Sequence, residues 1–411
     1  MLLKQAEACK IQADVILLNS VIDAYINCGE YPKAQQVFDF MKNPALDDSI
    51  AMEYPILFHP SRFPAPNKRT YNIVLKGFAN RGFFAEAQEL ATEMERNKYW
   101  DHVTTNTLVQ AAVKALDFDS AERLLEQYTE SNPSSQQMEY HPNAEAYTST
   151  MDALAKRGDM TRALDLLKKM KDRGVEPNEY TYTCLIGALA KHKKIDQARK
   201  MLKYMKSMGL RPRVVTYNAF MSGLAHRERF TDDQSYNRHV DEAIMILKEM
   251  IQEGVRPNPS GVSVLIGAFG KCEHPRVTEA LALVTKLEEE GIISKNNMRI
   301  STALVQVLGA ARDFTGAMSR FRSIRNPDVA AVNAWLDACV RCDKDQAAMK
   351  SFEHYFQGPE GKLRPDVISY STMITSVLKK TSYEGLKEAR KFYEEMKYQR
   401  RISPDNGLVD M

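Results

Sequence analysis

Apolar residues recur along this chain with the period of an α-helix, in short segments that come in pairs. Residues 181–189 (TYTCLIGAL) show the first kind of segment, in which Tyr182 and Leu189 fall on one face. Residues 162–170 (RALDLLKKM) show the second kind, with an equally regular apolar stripe. A Gly and then a Pro follow the second segment, as in RGVEPN at 173–178, and both residues stop helices. The pattern predicts pairs of short amphipathic helices.

The pairs form an internal repeat, which decides the fold before any single motif does. The first-helix motif reads TYNIVLKGF, AYTSTMDAL, TYTCLIGAL and TYNAFMSGL at four places, and Tyr147, Tyr182 and Tyr217 follow one another at intervals of 35 residues. The closing motif recurs as RGVEPN, MGLRPR and EGVRPN. Because one helix pair cannot bury its own apolar stripe, successive pairs must stack, which predicts an α-solenoid with a concave face.

About ten repeats can be placed between residues 15 and 405. Their bounds are 15–67, 68–101, 102–143, 144–178, 179–213, 214–258, 259–297, 298–328, 329–366 and 367–405. Extra residues are predicted near 43–66, 131–141 and 231–240, the last set between the two helices of its repeat. We expect residues 1–14 to be the second helix of a preceding repeat and residues 406–411 to begin a following one. Since a solenoid needs polar caps and neither end has one, the chain is expected to be part of a longer array.

Three sets of recurring residues are predicted to pack rather than to bind. The first-helix tyrosines are Tyr71, Tyr147, Tyr182, Tyr217 and Tyr370, and the methionines that end second helices are Met94, Met170, Met205, Met250 and Met396. Gly187, Gly223 and Gly267 lie inside first helices, where each glycine costs about 1 kcal/mol relative to alanine. Their recurrence predicts a close approach of neighbouring helices at that point.

Composition and charge exclude several classes of protein. Charged residues are 27% and hydrophobic residues 44% of the chain, which is typical of a folded domain rather than a disordered one. Lys and Arg number 56 against 53 Asp and Glu, a net charge of +3, so charge alone does not indicate a nucleic-acid binder. Six cysteines without a dense framework fit a reducing compartment. Neither a membrane-spanning apolar run nor a targeting segment is visible.

No motif indicates catalysis or a cofactor. Neither a phosphate-binding glycine loop nor a nucleophile elbow occurs in the sequence. Cys339 and Cys342 form a C-x-x-C pair, but no second pair or histidine stands at ligand spacing. His239 and Glu242 are not followed by the C-x-x-C of a zinc deaminase, and no cluster of aspartates follows the array. We therefore predict that the chain is not an enzyme and binds no cofactor or metal.

The period, the TYN-x-x-[LIM] opening and the G-[VIL]-x-P-[ND] closing resemble the pentatricopeptide repeat family over nearly the whole chain. The patterns of the tetratricopeptide repeat, W-x2-L-G-x2-Y and A-x3-F, do not recur. The predicted fold is all-α, a right-handed α-solenoid of about ten helix-turn-helix pentatricopeptide repeats. The resemblance implies binding of single-stranded RNA with one base read per repeat.

In each repeat, the resemblance implies two side chains that meet one unpaired base: a first-helix residue, here called the reader, and the last residue of the repeat. The pairs are Asn19 with Asn67, Asn72 with Asp101, Asn106 with Asn143, Thr148 with Asn178, Thr183 with Arg213, Asn218 with Asn258, Ser263 with Lys295 or Asn297, Thr302 with Asp328, Asn333 with Asp366, and Ser371 with Asp405. Only Asn, Thr and Ser occupy the reader position, although helices disfavour Asn and Thr. The alternative is that these side chains cap helices or bond between them.

The resemblance also implies an aliphatic residue before the TYN segment that sandwiches the base. Ile16, Val103, Val215 and Ile368 fit this role, while Tyr180 and Arg69 stack instead. Glu145 fits badly beside an anionic strand, and Arg213 cannot accept a hydrogen bond. By the code of the family, the RNA read from 5′ to 3′ is Y-U-Y-A-n-Y-n-G-U-G, where Y is a pyrimidine and n any base.

The implied action is steric, because a bound RNA end resists exonucleases and a bound segment cannot fold into hairpins. Family members act mostly on organellar transcripts, so the resemblance implies a role in RNA stability, processing, splicing or translation in a plastid or mitochondrion. Two alternatives remain: a protein-binding helical-repeat scaffold, and an accessory RNA-binding array of a longer enzyme.

Overall fold

A computed structural model describes residues 14–43, 64–127, 143–227, 232–357, 363–379 and 383–399. Within these ranges the chain forms twenty α-helices and no strand, and the helices follow one another as ten pairs. The chain divides into two compact units, Met1–Leu185 and Ile186–Met411. Each compact unit is an all-α stack of helix pairs, as the repeat predicts for an α-solenoid.

In the first compact unit, the odd-numbered helices are the first helices of their repeats. The helices are α1 (Val15–Asn27), α2 (Tyr31–Lys42), α3 (Lys68–Arg81), α4 (Phe84–Arg96), α5 (His102–Lys114), α6 (Phe118–Gln127), α7 (Ala144–Arg157), α8 (Met160–Asp172) and the beginning of α9 (Glu179–Lys191). Each first helix contacts the next: α1 with α3, α3 with α5, and α5 with α7. Their apolar stripes meet those of the second helices, and residues such as Leu18, Phe38 and Leu75 are fully buried there.

The second compact unit repeats this arrangement. It holds the end of α9, then α10 (Ile195–Ser207), α11 (Val214–Leu224), α12 (Asp233–Gln252), α13 (Pro259–Phe269), α14 (Val277–Glu289), α15 (Met298–Ala310), α16 (Phe314–Arg322), α17 (Val329–Arg341), α18 (Asp345–Phe352), α19 (Val367–Leu378) and α20 (Tyr383–Glu394). Short π-helical turns, Glu353–Gln357 and Glu395–Gln399, continue α18 and α20. Successive first helices again contact one another from α11 to α19, and Trp335 stacks on Phe321 in the core.

The recurring tyrosines and methionines lie in the core, which confirms that prediction. Tyr71, Tyr147, Tyr182, Tyr217 and Tyr370 and all five methionines that end second helices are buried. Some tyrosine hydroxyls reach a glutamate on the second helix of the same repeat: Tyr217 donates to Glu253 at 2.7 Å and Tyr370 to Glu395 at 3.0 Å. The ring fills the interface between the two helices, and the hydroxyl keeps a polar partner.

Two of the three first-helix glycines sit at close helix contacts, and the third does not. A Cβ on Gly223 would lie 2.6 Å from the Cβ of Ala190 and 2.7 Å from the carbonyl oxygen of Gly187. A Cβ on Gly187 would lie 3.2 Å from the Cβ of Ala219. At Gly267 a Cβ would meet nothing within 4 Å, so the predicted close approach is wrong there because the neighbouring helix leaves open space.

The predicted extra residues near 231–240 do not connect two helices. Residues 233–240 form the first two turns of α12, which Asp232 caps by accepting the N–H of Ser235 at 2.8 Å. The prediction missed this because Tyr236 and Val240, both fully buried, extend the apolar stripe of the second helix. Of the other predicted segments, residues 44–63 and 128–142 and the two chain ends, 1–13 and 400–411, lie outside the described residues. The repeat bounds stay predictions.

Candidate nucleic-acid interface

The last residue of each of the first nine predicted repeats occupies the N-cap of the following first helix. A side-chain oxygen of the residue accepts a backbone N–H two or three positions further on; this holds for Asn67, Asp101, Asn143, Asn178, Asn258, Asn297, Asp328 and Asp366. Short polar side chains are the preferred helix caps for this reason. Of the two residues considered for the seventh repeat, Asn297 is therefore the one at the equivalent position. Arg213 stands at the N-cap of α11 and makes no side-chain cap bond.

Capping uses one side-chain oxygen and leaves the rest of the group for other partners. In Asp101 one carboxylate oxygen accepts the N–H of Thr104 at 2.9 Å, and the other lies 2.8 Å from the ammonium group of Lys68. A capping asparagine keeps only its amide nitrogen, which donates, whereas a capping aspartate keeps an oxygen, which accepts. The two residue types therefore present opposite hydrogen-bonding groups at the same place.

The readers lie five positions after the cap, and four of them bond toward the next repeat. Asn218 donates to Asn258 and Asn333 to Asp366, both at 3.0 Å. In the third repeat the amide oxygen of Asn106 accepts the backbone N–H of Asn143 at 3.2 Å. In the fourth, the hydroxyl groups of Thr148 and Thr181 lie 2.7 Å apart, and Thr181 donates to the cap oxygen of Asn178 at 3.1 Å. The structure thus brings together the predicted pairs of repeats three, four, six and nine.

Readers of other repeats have different surroundings. The hydroxyls of Ser263 and Thr302 donate to carbonyls of their own helices, at 2.8 and 2.9 Å. Thr183 is buried in α9 and belongs to the first compact unit, whereas Arg213 is exposed and belongs to the second. Asp405, the predicted partner of the half-buried Ser371, lies outside the described residues.

The second residue of several first helices is a large apolar side chain that faces solvent. The exposed fractions are 73% for Ile16, 41% for Val103, 60% for Tyr180, 63% for Val215 and 61% for Ile368. These are the residues to which the family resemblance gives the base-sandwich role. Single exposed apolar residues are ordinary on a protein surface, but these five share one position in repeats one, three, five, six and ten, which makes that position a candidate binding surface.

Two clefts of the first compact unit gather the predicted residues of the first two repeats. A cleft of about 340 Å³ is lined by Ile16, Asn19, Asn67 and Arg69, among others. A second cleft of about 580 Å³ is lined by residues that include Arg69, Asn72 and Val103. The amide oxygens of Asn19 and Asn72 are buried and have no hydrogen-bond partner among the described residues. Each cleft thus joins a reader to two neighbouring exposed second-position side chains.

A row of basic side chains was missed by sequence reasoning. A lysine or arginine stands 11 positions after the second residue of six first helices: Lys114, Lys156, Lys191, Lys271, Arg341 and Lys379. Eleven residues make about three helical turns, so the four cations within their helices share a face with the exposed second-position residues: Lys114, Lys156, Lys191 and Arg341. Lys271 and Lys379 lie just beyond the ends of their helices. Lys191 and Lys271 pair with no carboxylate within the described ranges, whereas Lys156 and Arg341 pair with Asp152 and Asp337 on their own helices. The 11-residue spacing was the signal that could have found them.

Two lysines of second helices each face a carboxylate. Lys169 lies 2.9 Å from Glu126, and Lys206 lies 2.7 Å from Glu249, each reaching the second helix of a neighbouring repeat. Because these ammonium groups already face carboxylates, they are poor candidates for binding an anionic strand. The balanced composition therefore hides an uneven distribution of paired and unpaired cations.

The first cysteine of the C-x-x-C pair is poorly suited to bind a metal or to react with an electrophile. Cys339 is fully buried, and burial raises the pKa of its thiol to about 12, so the thiolate that metals and electrophiles need is disfavoured. No group of three metal-ligating side chains occurs within the described part of the chain. None of the helices described is long and apolar enough to cross a membrane.

Comparison with known families gives matches at five places. Models of the PPR repeat family match residues 142–191 and 181–226, and models of the PPR repeat match residues 16–43, 69–99 and 235–255. A chloroplastic pentatricopeptide repeat-containing protein of Arabidopsis thaliana is 28% identical over 137 residues, which are 33% of this chain and 17% of that protein. A mitochondrial one from the same plant is 26% identical over 161 residues, which are 39% of this chain and 20% of the relative. The matches thus span a fifth or less of these curated relatives.

Among solved structures, the chain is similar to the crystal structure of the pentatricopeptide repeat protein PPR10 from maize. The TM-score is 0.42 at 21% identity, over 97% of this chain and 66% of that one. The structure of PPR10 in complex with an 18-nt psaJ RNA element gives a TM-score of 0.35 at 18% identity, over 97% and 76% of the two chains.

Proposed function

We propose that this chain, as a member of the pentatricopeptide repeat family, binds a specific segment of single-stranded RNA, one base per repeat. The observation that carries the proposal is the cleft lined by Ile16, Asn19, Asn67 and Arg69. A flat base that enters between Ile16 and Arg69 buries both faces, and its edge meets Asn19 and Asn67. Stacking on side chains and edge contacts together are how proteins read unpaired RNA.

The geometry supports single-stranded rather than duplex RNA. In the two clefts described above, the reader lines a space between adjacent first helices, so the Watson–Crick edge of a base must be free to enter. In a duplex that edge is paired, and the deep groove of A-form RNA closes it to side chains.

The caps supply a rule for base choice. The free oxygen of a capping aspartate accepts the ring N–H that uracil and guanine carry, whereas the free amide of a capping asparagine donates to the ring nitrogen of cytosine or adenine. The reader then separates large from small bases, because Thr or Ser leaves more room than Asn. The rule agrees with uracil at positions two and nine, guanine at eight and adenine at four. For the Asn–Asn pairs at one, three and six it favours cytosine.

Contacts to the RNA backbone are proposed for the basic row. Lys191 lies on the face of α9 that carries Tyr180, and Lys271 stands at the matching position just beyond the end of α13. Neither has a carboxylate partner among the described residues. Such cations neutralise phosphates without regard to sequence. They would place the strand across the first helices, and the readers would select the bases.

In the cell, we propose a steric action on an organellar transcript, without a catalytic step in these residues. The names of the two curated relatives place one in the chloroplast and one in the mitochondrion, so plastid or mitochondrion is the proposed location. A bound segment would be shielded from exonucleases and from pairing, which affects RNA stability, processing, splicing or translation.

Binding to three short RNAs tests the proposal. They are a ten-nucleotide RNA of the sequence above, a scrambled version, and the matched duplex, all at near-physiological salt. We expect tight binding to the first alone. Equal, weak and salt-sensitive binding to all three would mean only non-specific attraction and would favour the protein-binding scaffold instead.

A further inference from the structure

The third residue of a first helix lies between the cap and the reader of the preceding repeat. In repeat ten this residue is Ser369, which is fully buried. Its hydroxyl oxygen accepts the backbone N–H of Asp366 at 3.2 Å and lies 2.7 Å from the amide oxygen of Asn333 and 2.9 Å from the cap oxygen of Asp366. A hydroxyl has one proton and can serve one acceptor at a time.

The position of that proton follows from the other bonds. The cap oxygen of Asp366 already accepts the N–H of Ser369 at 2.9 Å and the amide of Asn333 at 3.0 Å. The amide oxygen of Asn333 has no other donor in the network, so the hydroxyl proton of Ser369 completes it. Both ends of the Asn333 amide are then held. Reversing the amide would place its oxygen against the Asp366 oxygen, and two acceptors repel.

Repeat six has the equivalent bond from the reader to the cap residue but lacks the hydroxyl. Asn218 donates to Asn258 at 3.0 Å, as Asn333 does to Asp366. The third residue of the following helix is Gly261, and a Cβ there would lie 2.0 Å from the amide oxygen of Asn218. This oxygen is buried and has no partner among the described residues. A buried acceptor without a donor is costly, so the amide gains when it turns toward a donor on a ligand.

Threonines at the third position differ in whether they reach the preceding reader. The hydroxyl of Thr181 lies 2.7 Å from that of Thr148, the reader before it, and 3.1 Å from its own cap oxygen in Asn178. Thr70 instead donates to its own cap, Asn67, at 3.1 Å, and the oxygen of the preceding reader Asn19 has no partner. The third-position hydroxyl therefore contacts the preceding reader in some repeats and only the cap in others.

We infer that the third residue of each first helix is a positioning residue for base selection: where its hydroxyl holds the preceding reader, that repeat selects its base strictly, and where it does not, the repeat is tolerant. The inference rests on the proposed RNA binding. It assigns strict selection of uracil to repeat nine through Ser369, and tolerance to repeat six through Gly261. The residue touches the reader and not the base.

Four RNAs that differ only at position nine test Ser369. The ratio of affinities for uracil and for the next-best base is measured for the unaltered chain, Ser369→Ala and Ser369→Thr. Alanine already occupies this position at Ala146 and Ala331, so the fold accepts it. We expect Ser369→Ala to lower the ratio about threefold to tenfold, the worth of one net hydrogen bond. We expect Ser369→Thr to keep it, and discrimination at position eight to stay unchanged in both.

Position six provides the reverse test. Gly261→Ala and Gly261→Ser both displace the Asn218 amide, but only serine supplies a proton to hold it. We expect Gly261→Ser to raise discrimination at position six by about the same factor and Gly261→Ala not to raise it. If Ser369→Ala does not fold, as its melting temperature would show, the two Gly261 variants still test the role of the third residue.

The outcomes separate the inference from the function on which it rests. An unaltered chain without base preference at any position contradicts the proposed RNA reading. An unaltered chain that discriminates, with Ser369→Ala discriminating equally well at position nine, overturns the role of the third residue. A uniform loss of affinity for all four RNAs, with the ratio kept, would assign Ser369 to helix capping alone and also overturn it.

Discussion

A side-chain oxygen that caps a helix is no longer available to a ligand, and this constraint separates Asp from Asn at the end of each repeat. Asp366 and Asn258 both cap a first helix through one oxygen. What remains is an acceptor in the first case and a donor in the second. The same two residues therefore serve folding and, as proposed, recognition, and a substitution must be judged for both.

Exchanging Asn333 for threonine tests the reader alone. Threonine is shorter and leaves room for a purine, while the Asp366 carboxylate still accepts a ring N–H, which guanine supplies. We expect Asn333→Thr to move the preference at position nine from uracil toward guanine by about 1–3 kcal/mol, by analogy with base readout in DNA. The chain offers its own comparison in the pair of Thr302 with Asp328 at position eight. Unchanged uracil preference, measured with RNAs varied at position nine, would contradict the assignment.

The ionised carboxylate of Asp101 should make the free energy of unfolding depend on pH. Burial raises the pKa of the Asp101 carboxyl, but its hydrogen bonds with Lys68 and Thr104 outweigh burial, and the pKa lies below its ordinary value. A carboxyl with a lowered folded-state pKa stabilises the fold above the ordinary pKa of about 3.9, and this contribution is lost as the pH falls through the folded-state pKa.

Two variants divide this contribution into its parts. Asparagine caps as well as aspartate, so Asp101→Asn should cost at most about 1 kcal/mol at pH 7, the worth of a half-exposed ion pair with Lys68. The difference from the unaltered chain should vanish in acid. Asp101→Ala also loses the cap and should cost about 1 kcal/mol more. Urea unfolding between pH 7 and pH 3 measures both, and a pH-independent difference for Asp101→Asn would contradict the ion-pair explanation.

At the scale of helices, the repeat pattern predicted the ten pairs because helical periodicity and stop signals are local properties of the sequence. The prediction was wrong where the structure depends on contacts that the repeat pattern does not encode. Polar residues at the start of 231–240 resemble a loop, yet the buried Tyr236 holds the segment in α12, with its hydroxyl 3.1 Å from the carbonyl of Ala225. Such tertiary contacts have no period. The same holds for Gly267, which matches Gly187 in sequence position but not in surroundings.

The two kinds of first-helix glycine predict opposite effects of alanine. In Gly223→Ala the new Cβ meets the backbone of Gly187 and Lys191 at 2.7 Å, and overpacking of this kind costs about 1–3 kcal/mol. In Gly267→Ala it meets nothing within 4 Å, so the better helix propensity of alanine should stabilise by up to about 1 kcal/mol. The urea midpoints of the two variants should shift in opposite directions, and a stabilised Gly223→Ala would mean that α9 and α11 are not closely packed.

For the whole chain, a net charge of +3 does not indicate how strongly RNA is attracted. The cations that pair with carboxylates must first be distinguished from those that do not. Sequence reasoning could not do this sorting, because a lysine that pairs with a glutamate 43 residues away, as Lys169 does with Glu126, looks like any other. The structure separates paired cations such as Lys169 from the members of the first-helix row, Lys191 and Lys271, that have no carboxylate partner among the described residues. The row, rather than the net charge, sets the expected electrostatic contribution to RNA affinity.

Salt dependence of binding tests this sorting. Lys271→Gln should weaken binding to matched and scrambled RNA by the same factor and reduce the slope of log affinity against log salt by about 0.7, the value for one phosphate contact on a single strand. The base preferences should not change, because a phosphate contact carries no sequence information. Lys169→Gln is the matched control, since it removes the same charge where a carboxylate already faces it, and its slope should equal that of the unaltered chain. Equal slopes for all three proteins would mean that the strand does not pass along the first-helix row. A reduced slope for Lys169→Gln alone would indicate that the RNA binds along the second helices.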